Sequence, residues 1–182
     1  GYIGAHLVYP DRDLGTAYDS AMQEKIFNPL EMNSTTFDYA KALAGNHASP
    51  HGDDVDGKTR VASMDINYSI VPARPAGGVW TSAADLVRYV QLESTQGKLP
   101  SGKQLVSPEN LLARRAPQVP VGEDASYGMG LEVDRKYGIP IVSHDGSMSG
   151  FKSNWYLLPD FGIGAVILTN SDTGGLLEGP LE

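Results

Sequence analysis

The chain has 182 residues, a formal net charge of −8 and no cysteine. This length fits a single domain, and the lack of cysteine excludes disulfide frameworks, cysteine-ligated zinc and cysteine nucleophiles. The acidic balance, without a cluster of Lys and Arg, argues against nucleic-acid binding. No stretch reaches the roughly 18 apolar residues of a membrane helix, so no membrane span is predicted.

The first part of the chain predicts a helix followed by a long polar loop. Residues 1–8 fit either a short helix or a strand. Apolar side chains recur at helical spacing over residues 14–27, which predicts a helix. The helix should end at Asn28, because a residue before proline avoids helical backbone angles. Residues 38–75 are polar, aperiodic and interrupted by Pro and Gly, so we expect a loop at the rim of a cleft.

Two further helices have clear start signals. Ser82 is a favourable N-cap, and Gly97 marks the end of the helix that it begins. Ser107 is followed by proline, which is favoured at the first helical position, and this second helix should reach about Arg115. Both helices precede the strand-like part of the chain.

After residue 125 the hydrophobic period changes to that of strands. Residues 127–133, 139–144 and 151–158 each predict a strand, the last by clear alternation. Residues 163–169 are apolar throughout, which predicts a central strand buried on both faces. Because that strand has one sequence-adjacent partner, its other edge should be paired by another part of the protein or by a second copy. Helices followed by an antiparallel meander indicate the α+β class.

The stretch from Ser143 to Phe151 holds the main candidates for chemistry. His144 lies at the end of a predicted strand among glycines and serines, where an imidazole can face a cleft and exchange a proton. The backbone N–H groups of Gly146 and Ser147 could stabilise an oxyanion. The simpler alternative is a histidine that only forms a local hydrogen bond in a turn. His144 and Asp145 are not a catalytic pair, because neighbouring strand residues point to opposite faces.

Four segments together resemble the serine β-lactamase and penicillin-binding-protein-like superfamily, most closely its class C β-lactamase and esterase-like branch. Residues 26–37 read IFNPLEMNSTTF, residues 75–86 read PAGGVWTSAADL, and residues 127–131 read YGMGL. The fourth segment, residues 144–170, begins HDG and contains GFKS, PD and VILTN. Glu31 stands where that family usually has glycine. The resemblance implies a β-lactamase/transpeptidase-like fold.

The resemblance also implies roles for individual residues. His144 to Gly146 match the His-x-Gly form of the family's third active-site motif, so His144 would help to bind substrate and support proton transfer. Ser147 would lend its N–H to the oxyanion hole, which makes His144, Gly146 and Ser147 the predicted catalytic residues. Asp145 and Ser149 are the predicted substrate-binding residues. Asp145 replaces the family's Thr or Ser and would repel the carboxylate of a β-lactam, which favours an esterase or peptidase.

The family's nucleophile lies in a Ser-x-x-Lys motif at a helix start, followed by Tyr-x-Asn. Tyr-x-Asn does not occur in the sequence, and the one Ser-x-x-Lys, Ser149 to Lys152, falls on a turn into a strand. Ser and Lys three apart meet on a helix, not on a strand, so this pair is rejected as the nucleophile. We therefore expect residues 1–182 to be an incomplete single domain, inactive alone and lacking the N-terminal part of the fold. Residues 1–120 should be mainly helix and loop, and residues 121–182 antiparallel sheet.

The predicted activity is that of a serine hydrolase acting on a β-lactam, an ester or a D-amino-acid peptide through an acyl-serine. The alternative is a non-catalytic ligand-binding or pairing module derived from the same family. No cofactor is expected. His47 and His51 do not predict a metal site, because Pro50 and Gly52 prevent the helix that their spacing would need. The family implies a periplasmic or secreted location.

Overall fold

The computed structural model describes residues 1–177. The α-helices are α1 (Tyr2–Val8), α2 (Leu14–Met22), α3 (Tyr39–Ala44), α4 (Asp65–Tyr68), α5 (Ala83–Ser94) and α6 (Pro108–Ala113). The strands are β1 (His51–Asp53), β2 (Thr59–Val61), β3 (Val119–Pro120), β4 (Ala125–Tyr127), β5 (Glu132–Asp134), β6 (Ile141–Met148), β7 (Phe151–Leu158) and β8 (Ile163–Thr169). In this part of the chain no helix is long and apolar enough to cross a bilayer.

The predicted helix over residues 14–27 is confirmed, with one irregularity. After α2 the backbone continues as a single π-helical turn, Gln23–Phe27, and ends before Pro29. The Asp13 side chain accepts from the N–H of Thr16 and satisfies one of the free donors at the start of α2. The π-turn directs Phe27 into a small core formed with Leu92 and its neighbours.

The two later helices begin at the predicted caps. The Ser82 hydroxyl accepts from the N–H of Asp85 at 3.2 Å, and the Ser107 hydroxyl accepts from the N–H of Asn110 at 3.2 Å. Gly97 follows α5 with φ +87°, a left-handed conformation that suits glycine after a helix. Both predicted helices are therefore confirmed.

The prediction of an unstructured loop over residues 38–75 is wrong. This region contains α3, α4, a 3-10 segment at Val71–Ala76 and a hairpin in which β1 pairs with β2. The Asp54 side chain closes the hairpin turn by accepting from the N–H groups of Asp56 and Lys58. These elements span three to six residues, which is too short for a hydrophobic period to be recognised.

A six-stranded antiparallel sheet follows in the order β3-β4-β5-β6-β7-β8, so the predicted meander and the α+β class are confirmed. Helix α5 packs against one face of this sheet. Their shared core comprises Val90 of the helix with Leu131, Val133, Val142, Trp155 and Leu157. Helices on one face of an antiparallel sheet give the two-layer arrangement that this class favours.

The single strand predicted over residues 127–133 is instead two strands. β4 and β5 pair with each other, and a turn through Gly128 and Gly130 joins them. A Cβ at Gly128 would lie 2.1 Å from the carbonyl oxygen of Arg114, and Gly130 has φ +74°. The turn is thus set by close approach to the end of α6 at Gly128 and by a left-handed residue at Gly130, and the first of these features depends on distant packing.

The predicted strand over residues 163–169 is confirmed, but its predicted burial on both faces is wrong. β8 lies at the end of the sheet formed by the described residues, with Ile163 60% and Leu168 37% exposed. One face is covered near Gly164, where an added Cβ would lie 2.4 Å from Val90. Helix α5 therefore buries part of one face only.

Asp85 ties two distant segments together. This carboxylate is 6% exposed, and its Oδ2 accepts from the N–H of Ser34 at 2.7 Å and from the hydroxyl of Thr35 at 2.8 Å. The Thr35 hydroxyl also lies 2.8 Å from that of Thr81. These hydrogen bonds join the start of α5 to the loop that follows the first helices. They therefore link the segment of residues 26–37 to the segment of residues 75–86.

We expect Asp85→Ala to lower the free energy of unfolding by about 1–3 kcal/mol, because it removes the acceptor of the Ser34 N–H and one of the two partners of the buried Thr35 hydroxyl. Asp85→Asn keeps one acceptor oxygen and should lose less. Urea unfolding of both variants measures the difference. An equal loss in the two variants would contradict the assignment of the effect to the acceptor.

Candidate functional site

The second half of β6 has a free edge. β5 pairs with Ile141, Val142 and Ser143 only, whereas β7 pairs with β6 along its whole length from Val142 to Met148. Residues 144–148 therefore have a strand partner on one side, and no described strand pairs with them on the other. This edge carries the residues that the sequence singled out.

Backbone alternation decides which N–H groups point toward that edge. A two-residue turn joins Met148 to Phe151, so this pair closes the hairpin and exchanges hydrogen bonds across it. By alternation, Gly146 also directs its backbone groups to β7. Ser147 and Asp145 direct theirs to the opposite side. The predicted pair of oxyanion donors thus reduces to one, the N–H of Ser147.

His144 is held in one orientation by two contacts. Its Nδ1 donates to the backbone oxygen of Asp145 at 2.5 Å, since a carbonyl can only accept. In the neutral ring, Nε2 then accepts from the hydroxyl of Tyr127 at 2.8 Å. The imidazole therefore lies beside the free edge as a half-buried group linked to a phenol. Such a pair can pass or accept a proton through the hydroxyl.

The predicted site residues do not share one face of the sheet. His144 and Gly146 lie on the face that packs against α5, opposite Trp155 and Ser153 of β7. Asp145 and Ser147 lie on the other face and their side chains are exposed. A Cβ on Gly146 would lie 2.4 Å from the Ser153 hydroxyl oxygen, so glycine keeps this part of the face flat.

Ser149 lies in the turn between β6 and β7, and Lys152 lies on β7. The ammonium group of Lys152 donates to the hydroxyl of Ser147 at 2.6 Å and is not placed next to Ser149 by any described contact. This geometry agrees with the rejection of the Ser149 to Lys152 pair as a nucleophile and base.

Three residues beside the site were missed by the sequence reasoning. Tyr127 was part of a quoted segment but had no role, although it contacts His144. Asn67 and Asp172 hold the turn at Ser149 from 82 and 22 residues away. For Tyr127 the sequence offers a weak local signal, an aromatic residue before glycine. For Asn67 and Asp172 it offers none, because their partners in the turn are 82 and 22 residues away.

No group of three or more His, Asp or Glu side chains in residues 1–177 is arranged to hold a metal ion. His47 stacks edge-on against Trp80 with ring centroids 6.1 Å apart, and His51 contacts the backbone oxygen of Asn170 at 3.0 Å. Both side chains thus have packing or hydrogen-bonding partners of their own.

Comparison with known proteins gives consistent matches. A family model described as Beta-lactamase matches residues 4–179. Penicillin-binding protein 4 of Amycolatopsis lactamdurans is 26% identical over 163 residues, covering 86% of this chain and 42% of that protein. The octameric penicillin-binding protein homologue from Pyrococcus abyssi has a TM-score of 0.70 at 22% identity, covering 87% of this chain and 36% of that one.

A D-stereospecific amidohydrolase from Streptomyces sp. is also similar in fold, with a TM-score of 0.64 at 18% identity and coverage of 92% of this chain and 48% of that one. The chain therefore spans less than half the length of each of these relatives. Their shared architecture agrees with the β-lactamase/transpeptidase-like fold predicted from the sequence.

Proposed function

Because the chain belongs to the beta-lactamase family of penicillin-binding-protein-like serine hydrolases, we propose that it forms one wall of a hydrolase cleft. The proposal depends mainly on one observation. Ser147 presents an N–H on the free edge of β6, next to His144, whose ring is held by two hydrogen bonds. The serine nucleophile and its lysine would come from a part of the protein outside these 182 residues.

The proposed reaction is acyl transfer to a serine. A serine oxygen attacks the substrate carbonyl, and the N–H of Ser147 donates to the oxygen that becomes negative in the tetrahedral intermediate. The lysine accepts the proton of the attacking serine and passes it to the leaving group as the bond to that group breaks. Water then attacks the acyl-enzyme, giving one proton to the lysine, and the ester bond breaks to release the acid and restore the serine. His144 bounds the edge on which the acyl group lies, and its link to Tyr127 keeps the imidazole from rotating away.

Asp145 supports a proposal for the substrate class. Its carboxylate is exposed beside the cleft edge, where it would repel the carboxylate of a β-lactam. An ester or a D-amino-acid amide with a neutral or cationic group at this position fits better. This preference supports an esterase or peptidase rather than a β-lactamase.

Two exposed apolar surfaces support completion of the fold by another segment of the same protein. Helix α1 exposes Ile3 by 82% and Leu7 by 78%, one helical turn apart. β8 exposes Ile163 along an edge with no partner among residues 1–177. The occupant we propose is the part of the protein that the chain's relatives have and these 182 residues do not.

The test compares the 182-residue chain with a version extended toward its N-terminus. A p-nitrophenyl ester and a chromogenic β-lactam serve as substrates. We expect the extended protein to hydrolyse the ester faster than the β-lactam. The 182-residue chain should hydrolyse neither substrate. Turnover by the short chain that a Ser149 substitution abolishes would contradict the proposal. An extended protein that is folded but forms no acyl-enzyme would instead favour the non-catalytic module.

A further inference from the structure

The turn at the end of β6 is held by side chains from two distant segments. The amide nitrogen Nδ2 of Asn67 donates to the carbonyl oxygen of Ser149 at 2.9 Å. The carboxylate oxygen Oδ1 of Asp172 accepts from the N–H of Gly150 at 2.7 Å. The N–H of His51 donates to the carbonyl oxygen of Gly150 at 3.3 Å. These contacts engage both carbonyl oxygens of the two-residue turn and the N–H of Gly150.

Packing around the turn leaves little freedom. Gly150 has φ +77°, and a Cβ there would lie 2.3 Å from Pro50 Cβ and 2.7 Å from the nitrogen of His51. Asn67 is only 2% exposed. The Asp172 side chain is more exposed, but its carboxylate lies against β1, since a Cβ on Gly52 would lie 2.9 Å from its Oδ2. The turn is therefore fixed by β1, α4 and the segment after β8 together.

This fixation matters because residues 144–148 have only one strand partner among residues 1–177. Their position depends on β7 along one side and on the turn at their end. Ser147 lies two residues before Ser149, so a shift of the turn moves its N–H. A misplacement of about 1 Å in a catalytic group can lower the rate about 100-fold.

We infer that Asn67 and Asp172 are positioning residues for the oxyanion donor. They act through the turn at Ser149 and Gly150, and neither touches the substrate. The inference rests on the proposed function for its effect on catalysis, but the fixation of the turn can be measured independently.

The experiment uses the extended protein with its nucleophile. Asp172→Ala and Asn67→Ala should each lower kcat for the p-nitrophenyl ester about 10- to 100-fold while KM changes less than about threefold. Asp172→Asn keeps an oxygen that can accept from Gly150, so it should recover most of the lost kcat. A purely structural role would not separate these two variants at position 172.

Hydrogen–deuterium exchange of the peptide that covers residues 144–151 provides the second measurement. We expect about tenfold faster exchange in Asp172→Ala and Asn67→Ala than in the wild type or Asp172→Asn, because the turn opens locally. Asp85→Asn is the matched control, since it weakens the fold without touching the turn. It should leave exchange over 144–151 unchanged under conditions where the protein stays folded.

The outcomes separate the inference from the proposed function. Unchanged exchange in both alanine variants would overturn the inference, whether or not the protein is active. Faster exchange with an unchanged kcat would also overturn it, because the turn would then not position the donor. An inactive wild type would remove the proposed function, and the exchange measurement would still decide whether these residues fix the turn.

Discussion

Replacing Glu93 by alanine is expected to lower the free energy of unfolding by about 3–5 kcal/mol. Glu93 lies in α5 and is 0% exposed. Its Oε2 accepts from Arg115 at 2.9 Å, and its Oε1 accepts from Arg114 and, at 2.8 Å, from the hydroxyl of Tyr89. One carboxylate therefore joins α5 to the chain just after α6.

The size of the expected loss comes from the groups left behind. The Arg115 side chain is only 11% exposed, and it would keep its charge in a buried place without a counter-charge. Burial raises the pKa of Tyr89 to about 12, so its hydroxyl stays neutral and cannot replace the lost anion. Glu93→Gln preserves acceptor capacity but not the charge, and we expect it to lose about 1–3 kcal/mol.

The matched control is Arg60→Ala, which breaks a surface ion pair. Arg60 lies 3.2 Å from Asp54, and its side chain is 65% exposed, so this variant should change stability by less than about 1 kcal/mol. Urea unfolding measures the free energy of unfolding of all three variants. The comparison requires that the dependence of this free energy on urea concentration stays the same in each variant. A loss below about 1 kcal/mol in Glu93→Ala would show that the buried pair is not needed for stability.

The fold was predictable where local patterns were long. The helix over residues 14–27 and the helix that Ser82 caps were found from spacing and capping, and the meander was found from the change of period. The failures concern packing between distant segments. Gly128 makes a turn because the carbonyl of Arg114 lies beside it, and β8 is partly exposed although its residues are apolar. The local sequence pattern contains no information about the carbonyl beside Gly128 or about which faces of β8 are covered.

The sequence placed the candidate site residues on one strand, but it did not show which of them would face α5. His144 and Ser147 lie on one free edge as expected, yet their side chains point to opposite faces. Strand alternation alone places residues three apart on opposite faces. The register of β6 against β7 decides which of the two side chains faces α5, and a shift of one residue would reverse that. At Glu31 the sequence likewise did not reveal the backbone conformation. Glu31 departs from the family's glycine, and its φ of +55° lies in the left-handed region that glycine favours.

The most direct test of the site removes one N–H. In the extended protein that carries the nucleophile, Ser147→Pro should lower kcat about 100- to 1,000-fold relative to Ser147→Ala, the range seen when an oxyanion donor is lost. The comparison isolates the backbone, because both variants lose the hydroxyl that accepts from Lys152. Only proline also loses the N–H.

Position 147 should admit proline without loss of the fold. Its N–H points away from β7 by alternation, and no described strand pairs with that side. Proline is tolerated at such edge positions because no ladder hydrogen bond is removed. Thermal unfolding should confirm that the two variants differ little in stability. If both are folded and their kcat values are equal, the N–H of Ser147 is not the oxyanion donor, and the free edge of β6 serves only to bind substrate.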